Sequence, residues 1–328
     1  MTNKLGQLLA KYRELGIDKQ IDYDKFYLYS LITHSTAIEG STITELENQI
    51  MFDHGIGLKG KSLEEQSMNL DLKVAYERAI ELAQQHAAIS TDMLIMLSSL
   101  VMKNTGKEYK TMLGDFSSAR GDLRLLNVTA GVGGRSYMNY SKVPAKLAEF
   151  CEQLNMSRSK SSSMSVDELY QLTFDAHYHL VTIHPWADGN GRMARLVMNM
   201  LQFEFGIIPT KILQEDKEEY IKALVATRED DNLDIFREFM STMMQRNLQK
   251  EITTYLSSIG EEVGREKTVK SREKIVALLA EDGTLSAAAL AAKIGISAKA
   301  IEKHLANLKA AGIIERIGPA KGGYWKVR

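Results

Sequence analysis

The chain has 328 residues, with 41 Lys or Arg against 42 Asp or Glu, and its formal net charge of -1 argues against a protein that is basic throughout. Its 44% apolar content is ordinary for a soluble globular protein, and the length leaves room for two or three domains. Cys151 is the only cysteine, which excludes an intrachain disulfide and a cysteine-based metal cluster. Lys4, Lys11, Arg13 and Glu14 interrupt any apolar run near Met1, so no signal peptide is expected. No stretch approaches the roughly 18 uninterrupted apolar residues of a membrane span. The expectation is a cytoplasmic protein with no membrane partner. Only four prolines punctuate the sequence, and apolar residues recur mostly at helical spacing, which predicts a mainly α fold.

Leu5, Leu8, Leu9, Tyr12 and Leu15 mark a first helix that Gly16 ends. A second runs from about Tyr23 to Ile38, with Phe26, Leu28, Tyr29, Leu31 and Ile32 as apolar positions, and closes on Ser35-Thr36-Ala37-Ile38-Glu39-Gly40. Glu39 stands at the wrong end for the helix dipole, where a cation is favoured. Taken alone it reads as a solvated carboxylate. Thr44-Glu45-Leu46-Glu47 and Ser62-Leu63-Glu64-Glu65 fit capping boxes, and each opens a further helix. Residues 92–103 are apolar enough to predict a buried core helix.

Residues 114–142 break the helical pattern. Gly114, Gly121, Gly131, Gly133 and Gly134 cluster there, and Leu125–Thr129 and Ser136–Tyr140 have strand-like content around a Gly133-Gly134 turn. A lone hairpin leaves an exposed edge. It is either a surface decoration or a ledge on which an extended segment of another protein adds a strand. Val143–Leu154 then predicts a helix with Pro144 in its first turn, and residues 157–165 form a polar loop.

Ser165-Val166-Asp167-Glu168 caps a helix running to Ile183. It leads into His184-Pro185-Trp186-Ala187-Asp188-Gly189-Asn190-Gly191-Arg192-Met193-Ala194-Arg195, after which helical spacing resumes at Leu196, Val197, Met200 and Leu201. Gly189, Asn190 and Gly191 would open this second helix. Free N–H groups and the positive dipole end there attract an anion such as phosphate, and glycines let it come close. Arg192 and Arg195, three apart on one face, add multi-donor contacts to its oxygens. Asp188 is a hard oxygen ligand suited to Mg²⁺. His184 is the side chain here that can accept a proton near neutral pH. These residue types predict phosphoryl or nucleotidyl transfer and do not distinguish the two.

Beyond the motif, Glu215–Thr227 and Leu233–Leu256 predict two amphipathic helices, and the polar stretch 257–269 reads as a linker or a frayed helix end. The tail then changes character. Three helices, around Ile275–Leu279, Ala287–Ile294 and Ser297–Ala311, precede strand-like Ile313–Ile317 and Tyr324–Val327, the winged helix-turn-helix pattern. From Lys267 to Arg328 there are 12 basic and 5 acidic residues, a net +7 that suggests a polyanion partner. Lys299, Lys303, Lys309 and Lys321 could meet DNA phosphates, while the same fold could serve protein contacts or dimerisation. Only Asn307 on the third helix could read bases, so base-specific readout looks weak.

The twelve residues at 184–195 resemble the signature of the Fic (filamentation induced by cAMP) family, His-Pro-Phe-x-Asp-Gly-Asn-Gly-Arg-x-x-Arg, with Trp186 in place of the usual Phe. The resemblance implies a Fic-type helical bundle with a β-hairpin flap, followed by a winged helix domain. The corresponding layout is an N-terminal helical region over 1–90 with an inhibitory helix at about 23–40, a catalytic core over 91–256, a linker over 257–269 and a winged helix over 270–328. The implied activity is AMPylation, the Mg²⁺-dependent transfer of AMP from ATP to a Ser, Thr or Tyr hydroxyl of a target protein. His184 would be the general base, Asp188 the Mg²⁺ ligand, Gly189, Asn190 and Gly191 the anion hole. Arg192 would help hold the phosphates and Arg195 would grip the γ-phosphate. The flap near Val128, Thr129 and Ala130 would bind the target segment. Ser35 to Gly40 resembles the family's inhibitory motif, so that Glu39 would pair with Arg195 in place of the γ-phosphate, with Ser35 in the same motif. Other members transfer phosphate or remove AMP, and a DNA-binding regulator with a nucleotide-sensing core is a different class of reading. DNA and a second copy of the chain stay open as partners.

Overall fold

The computed structural model describes residues 4–130, 136–319 and 323–328, with the side chains of 261–269 left aside. Two units divide between Lys250 and Glu251. The larger one contains α1 (Lys4–Glu14), α2 (Tyr23–Ile38), α3 (Glu45–His54), α4 (Leu63–Gln84) and α5 (Thr91–Val101). A hairpin follows, β1 (Glu108–Thr111) and β2 (Gly114–Ser117), then α6 (Val143–Arg158), α7 (Val166–Ile183), α8 (Asn190–Glu204) and α9 (Lys217–Glu229). No helix among the described residues is long and apolar enough to cross a membrane.

The helix starts follow their caps. Thr44, Ser62 and Ser165 each accept from the amide three residues on, and Glu47, Glu65 and Glu168 bond back to the cap amide. Such a reciprocal pair satisfies two donors that a helix start leaves free. The middle of the unit is α8, which packs chiefly on α7 and α4. Met193, Leu196, Val197, Met200 and Leu201 are at most 3% exposed, as are Leu72, Ala75 and Ala79 of α4. A helix that is buried all round must also bury its polar residues, and those need partners. Asn199 accepts from Tyr76 Oη at 2.6 Å and donates to the Thr210 carbonyl. Gln202 bonds Thr173 and Thr210.

A second polar network anchors the end of α2. Asn69 Oδ1 accepts from Thr36 Oγ1 at 2.8 Å and from Asn48 Nδ2 at 2.9 Å. Asn69 Nδ2 donates to Ser41 Oγ and to the Glu65 carbonyl, and Asn48 Nδ2 also reaches Thr33 Oγ1. α2, α3 and α4 are thereby cross-linked just before Glu39.

Two expectations change. Regular strands do not form at 125–129 and 136–140: a single bridge joins Thr129 and Ser136, with Tyr137 N–H on the Val128 carbonyl at 3.0 Å. The Gly133-Gly134 turn lies outside the described residues. The arms are held by side chains instead, as where Asn127 Oδ1 takes the Tyr140 amide at 3.0 Å. A bare two-strand ladder is marginal by itself. The regular hairpin is β1–β2, where Tyr109 stacks on Phe116 across the strands at 4.8 Å. Secondly, α10 (Leu233–Glu281) takes in the whole polar stretch 257–269. That stretch has no proline to break the helix, and Glu261, Glu262, Arg265, Glu266 and Lys267 are good helix formers set against Gly260 and Gly264.

The second unit holds α11 (Ala287–Ile294), α12 (Ala298–Ala310), β3 (Ile314–Ile317) and β4 (Tyr324–Val327). Ser286 and Ser297 are the N-caps of its two short helices. Ile275, Leu279, Leu290, Ile301, Leu305, Leu308 and Ile314 form its core, and β3 pairs antiparallel with β4. Lys299, Lys303 and Lys309 lie on the exposed side of α12, and Lys321 falls outside the described residues.

The network around Asn69 generates a stability prediction. Asn69→Ala strips partners from Thr36, Asn48, Ser41 and the Glu65 carbonyl, and lowers the unfolding free energy by about 2 kcal/mol in a urea titration. An unchanged midpoint would mean that the network does not hold these helices together.

Candidate active site

The sharp loop between α7 and α8 is built from inside. His184 ends α7 in the left-handed region, with φ 53° and ψ 62°. A non-glycine residue persists there only when its surroundings hold it. Its amide bonds the Leu180 carbonyl at 3.1 Å and its Nδ1 faces the Val181 carbonyl at 3.2 Å. Trp186 is fully buried and donates its indole N–H to the Gly121 carbonyl at 2.9 Å. The ring is thus more than core filling: it ties the loop to the segment after β2. Asn190 braces the loop from the other side, accepting from the Trp186 amide and donating to the Trp186 carbonyl.

The carbonyl of Val181 can only accept, so Nδ1 of His184 carries the hydrogen and Nε2 keeps its lone pair. Burial pushes the imidazole down to about 4, the hydrogen bond to Val181 opposing it, with the Arg124 charge acting in the same sense as burial. His184 is therefore a neutral ring with one nitrogen ready for a proton. Tyr137 lies flat on it, ring centroids 3.8 Å apart, and Arg228 of α9 sits over Tyr137 at 5.6 Å.

α8 begins at Asn190, and the first amide bonded within the helix is that of Met193, to the Gly189 carbonyl at 2.9 Å. The amides of Asn190, Gly191 and Arg192 precede it and are the donors at the helix start. The amide of Gly189 is turned instead to Asp188 Oδ1 at 2.6 Å. Gly189 matters for its φ of 82° and for its missing side chain, since a Cβ there would lie 2.7 Å from Met102 Sδ. Arg192 is 3% exposed, with Nη2 against Met102 Sδ at 3.0 Å, while its Nε and Nη1 have no partner among the described residues. A buried, half-paired guanidinium at a helix N-terminus is what an anion subsite consists of.

Arg195 is also 3% exposed, but it is fully engaged. Its Nη2 reaches Glu39 Oε1 at 2.5 Å and the Ser35 carbonyl at 3.0 Å, and its Nε reaches Ser35 Oγ at 2.8 Å. Burial alone would raise the Glu39 carboxyl, yet the charge and hydrogen bond of Arg195, with Arg192 and Lys217 behind, hold it below the usual carboxylate range. Burial likewise would lower the Arg195 guanidinium, and Glu39 reverses this. A Cβ on Gly191 would lie 2.9 Å from Glu39 Oε1. The carboxylate thus rests on the first turn of α8, over the position that needs glycine. Tyr220, fully buried on α9 and hydrogen-bonded to His177 at 3.0 Å, also interacts with Arg195. Arg124, Tyr137 and Tyr220 are site residues that no motif in the sequence marks.

A Mg²⁺ would find one carboxylate here. The Asp188 side chain is 54% exposed and stands 3.8 Å from Arg192, so it opens toward the anion subsite. That donor set fits an ion held mainly by substrate phosphates and water.

The start of α8 thus brings together two buried guanidinium groups, a neutral imidazole and the Glu39 carboxylate. Residues 88–202 match the Fic/DOC family, and residues 270–315 match the winged helix-turn-helix DNA-binding family. Protein adenylyltransferase fic-1 of Caenorhabditis briggsae is 26% identical over 256 residues, 77% of this chain and 46% of its own length. Protein adenylyltransferase Fic of Nematostella vectensis is 27% identical over 248 residues, 74% of this chain and 53% of its own. The chain thus spans about half the length of these curated relatives. A Fic domain containing signaling protein from Bacteroides thetaiotaomicron shares the fold with a TM-score of 0.64 at 21% identity, over 76% of this chain and 97% of its own. A Fic family protein from Desulfovibrio desulfuricans gives 0.57 at 18% identity, over 100% and 97%. The chain is thus similar to a Fic/DOC domain over residues 88–202 and to a winged helix-turn-helix over residues 270–315.

The His184 environment sets a pH dependence. An unfolded histidine takes its proton near pH 6.5, whereas folded His184 does so near 4. The group's contribution to stability is complete above about pH 6.5 and is lost as pH falls toward 4, because the unfolded chain binds the proton first. Histidine nuclear magnetic resonance should give a midpoint near 4 for the ring; a midpoint near 6.5 would mean a solvated imidazole.

Proposed function

We propose that the protein is an autoinhibited adenylyltransferase that moves AMP from ATP to a hydroxyl of a target protein. The observation that carries this reading is the Glu39 carboxylate, 2.5 Å from Arg195 and seated over Gly191 at the α8 N-terminus. A carboxylate in that place is a stand-in for a terminal phosphate, and a site that needs one is a site for a nucleoside triphosphate.

In the open state, Arg195 would take the γ-phosphate and Arg192 the neighbouring oxygens, with the Asn190–Arg192 amides completing the cradle. The Val128–Ala130 arm would carry a target segment by main-chain bonding, next to His184. Nε2 of His184 would accept the proton of a Ser, Thr or Tyr hydroxyl. The oxygen would bond the α-phosphorus, the bond from that phosphorus to the bridging oxygen would break, and pyrophosphate would leave. Mg²⁺ on Asp188 would neutralise phosphate charge. In the closed state the donors of Arg195 are spent on Glu39 and Ser35, so a triphosphate cannot lie in the productive pose. The hydroxyl of Ser35 and its carbonyl hold the guanidinium facing α2.

The variant pair that tests this is Glu39→Gly and His184→Ala. With α-labelled ATP in cell lysate, Glu39→Gly should transfer label to protein about 5–150-fold faster than wild type, the span of a coupling of roughly 1–3 kcal/mol. Glu39→Gly combined with His184→Ala should transfer essentially none. Equal labelling by wild type and Glu39→Gly would refute autoinhibition. Label arriving only from γ-labelled ATP would make the enzyme a phosphotransferase.

A DNA-binding role for the winged helix is favoured by its family match and by the exposed Lys299, Lys303 and Lys309 on α12. Binding carried by phosphate contacts weakens steeply with salt. The full chain should retard duplex DNA in 50 mM salt and release it by about 200 mM, and Lys299→Ala with Lys303→Ala should flatten that slope by about two units. No retardation at low salt would leave the unit to protein contacts.

A further inference from the structure

Arg124 lies between the motif and the flap, and it is 1% exposed. Its guanidinium donates to three main-chain carbonyls: Nε to His184 at 2.7 Å, Nη1 to Leu126 at 2.8 Å and Nη2 to Met138. Its own amide bonds the Pro185 carbonyl at 3.0 Å. Burial lowers the pKa of this cation, and among the described residues its guanidinium hydrogen bonds go to neutral carbonyls. Burying a charge among neutral acceptors is costly, so the arrangement calls for a reason. Three carbonyls pointing at one spot need three donors in a fixed plane, which only a guanidinium provides; an ammonium is a single point.

The three carbonyls belong to different parts of the site. Leu126 precedes the Val128–Ala130 arm by two residues. Met138 follows Tyr137, whose ring covers His184. The third carbonyl is that of His184 itself, whose φ of 53° has to be imposed from outside. Both roots of the flap and the strained base therefore meet on one side chain. We infer that Arg124 is a positioning residue that locks the flap to the catalytic base, so that a segment paired along Val128–Ala130 presents its hydroxyl at His184 in a single register. This rests on the AMP-transfer reading of the site. A strand slipped by one residue turns every side chain to the other face, so a platform that floats relative to the base would lose the hydroxyl altogether.

The test uses Arg124→Lys and Arg124→Gln in the full chain with Glu39→Gly present. Arg124→Lys keeps the charge and most of the stem, so it is the variant least prone to unfold. Initial rates of label transfer from α-labelled ATP into protein are measured across ATP concentrations, with amide hydrogen exchange at 125–130 and 136–140 beside them. Arg124→Lys should lower kcat by about 10²-fold, the usual cost of a small misplacement of reacting groups. The KM for ATP should stay within about twofold, since the guanidinium is committed to the flap and loop carbonyls. Exchange should quicken in both flap arms while α7 and α8 keep their protection. Transfer within about twofold of the Glu39→Gly parent would overturn the assignment, and so would exchange that quickens equally through α7 and α8, which marks general loosening. If the Glu39→Gly parent itself transfers no AMP, the functional reading fails, and exchange alone decides whether Arg124 couples the two arms.

Discussion

A buried charge is costly unless it is paired, and Arg195, 3% exposed, is paired with a carboxylate. On α8 the nearby charge is the like-signed Arg192, and the other contacts of Arg195, Ser35 and Tyr220 with His177 beyond, are neutral. Glu39 fills the need from α2. This also accounts for a carboxylate at a helix C-terminus, where the dipole disfavours it. The negative end of α2 meets the positive end of α8, and the carboxylate sits between them. Removing one partner of such a pair leaves the other charge stranded, so the open state proposed above would need a replacement anion. In the proposed function a nucleotide phosphate is that replacement, and it would also serve the half-paired Arg192 next door.

For that exchange to work as a switch, the two helices must keep their places whichever anion is bound. The fold supplies this rigidity. α8 is enclosed by α4 and α7 with almost no exposed side chain, and Tyr76 ties α4 to Asn199 in its middle. The end of α2 is fixed by the Asn69 and Asn48 amides rather than by Glu39. Loss of the ion pair can then free the side chain of Glu39 without unfolding the helix that bears it.

Much of the fold was readable in the sequence because it depends on local chemistry. The capping boxes at Thr44, Ser62 and Ser165 start helices where their pattern says, and the apolar periodicity of 166–183 and 193–201 marks the pair that flanks the loop. The turn of the loop was readable for the same reason: Gly189 takes a left-handed φ of 82° that favours glycine. Less was readable wherever long-range contacts decide. The strand-like segments 125–129 and 136–140 did not become a ladder; Arg124 takes the Leu126 and Met138 carbonyls and Asn127 the Tyr140 amide, main-chain groups that a ladder could have used. Residues 257–269 are polar enough for a linker, yet with no proline among them α10 continues through. Asn69, Tyr137, Tyr220 and Arg124 carry no motif, and their partners lie tens of residues away. Glu39 was legible only through resemblance; its composition and position alone describe a solvated glutamate.

The central claim is that Glu39 and a γ-phosphate compete for Arg195. The direct test is calorimetric binding of ATP and of ADP to the His184→Ala protein, with and without Glu39→Gly. The account predicts that Glu39→Gly strengthens binding of ATP and leaves ADP nearly unchanged, since only ATP brings the phosphate that Arg195 would hold. An equal gain for both nucleotides, or none for either, would contradict it.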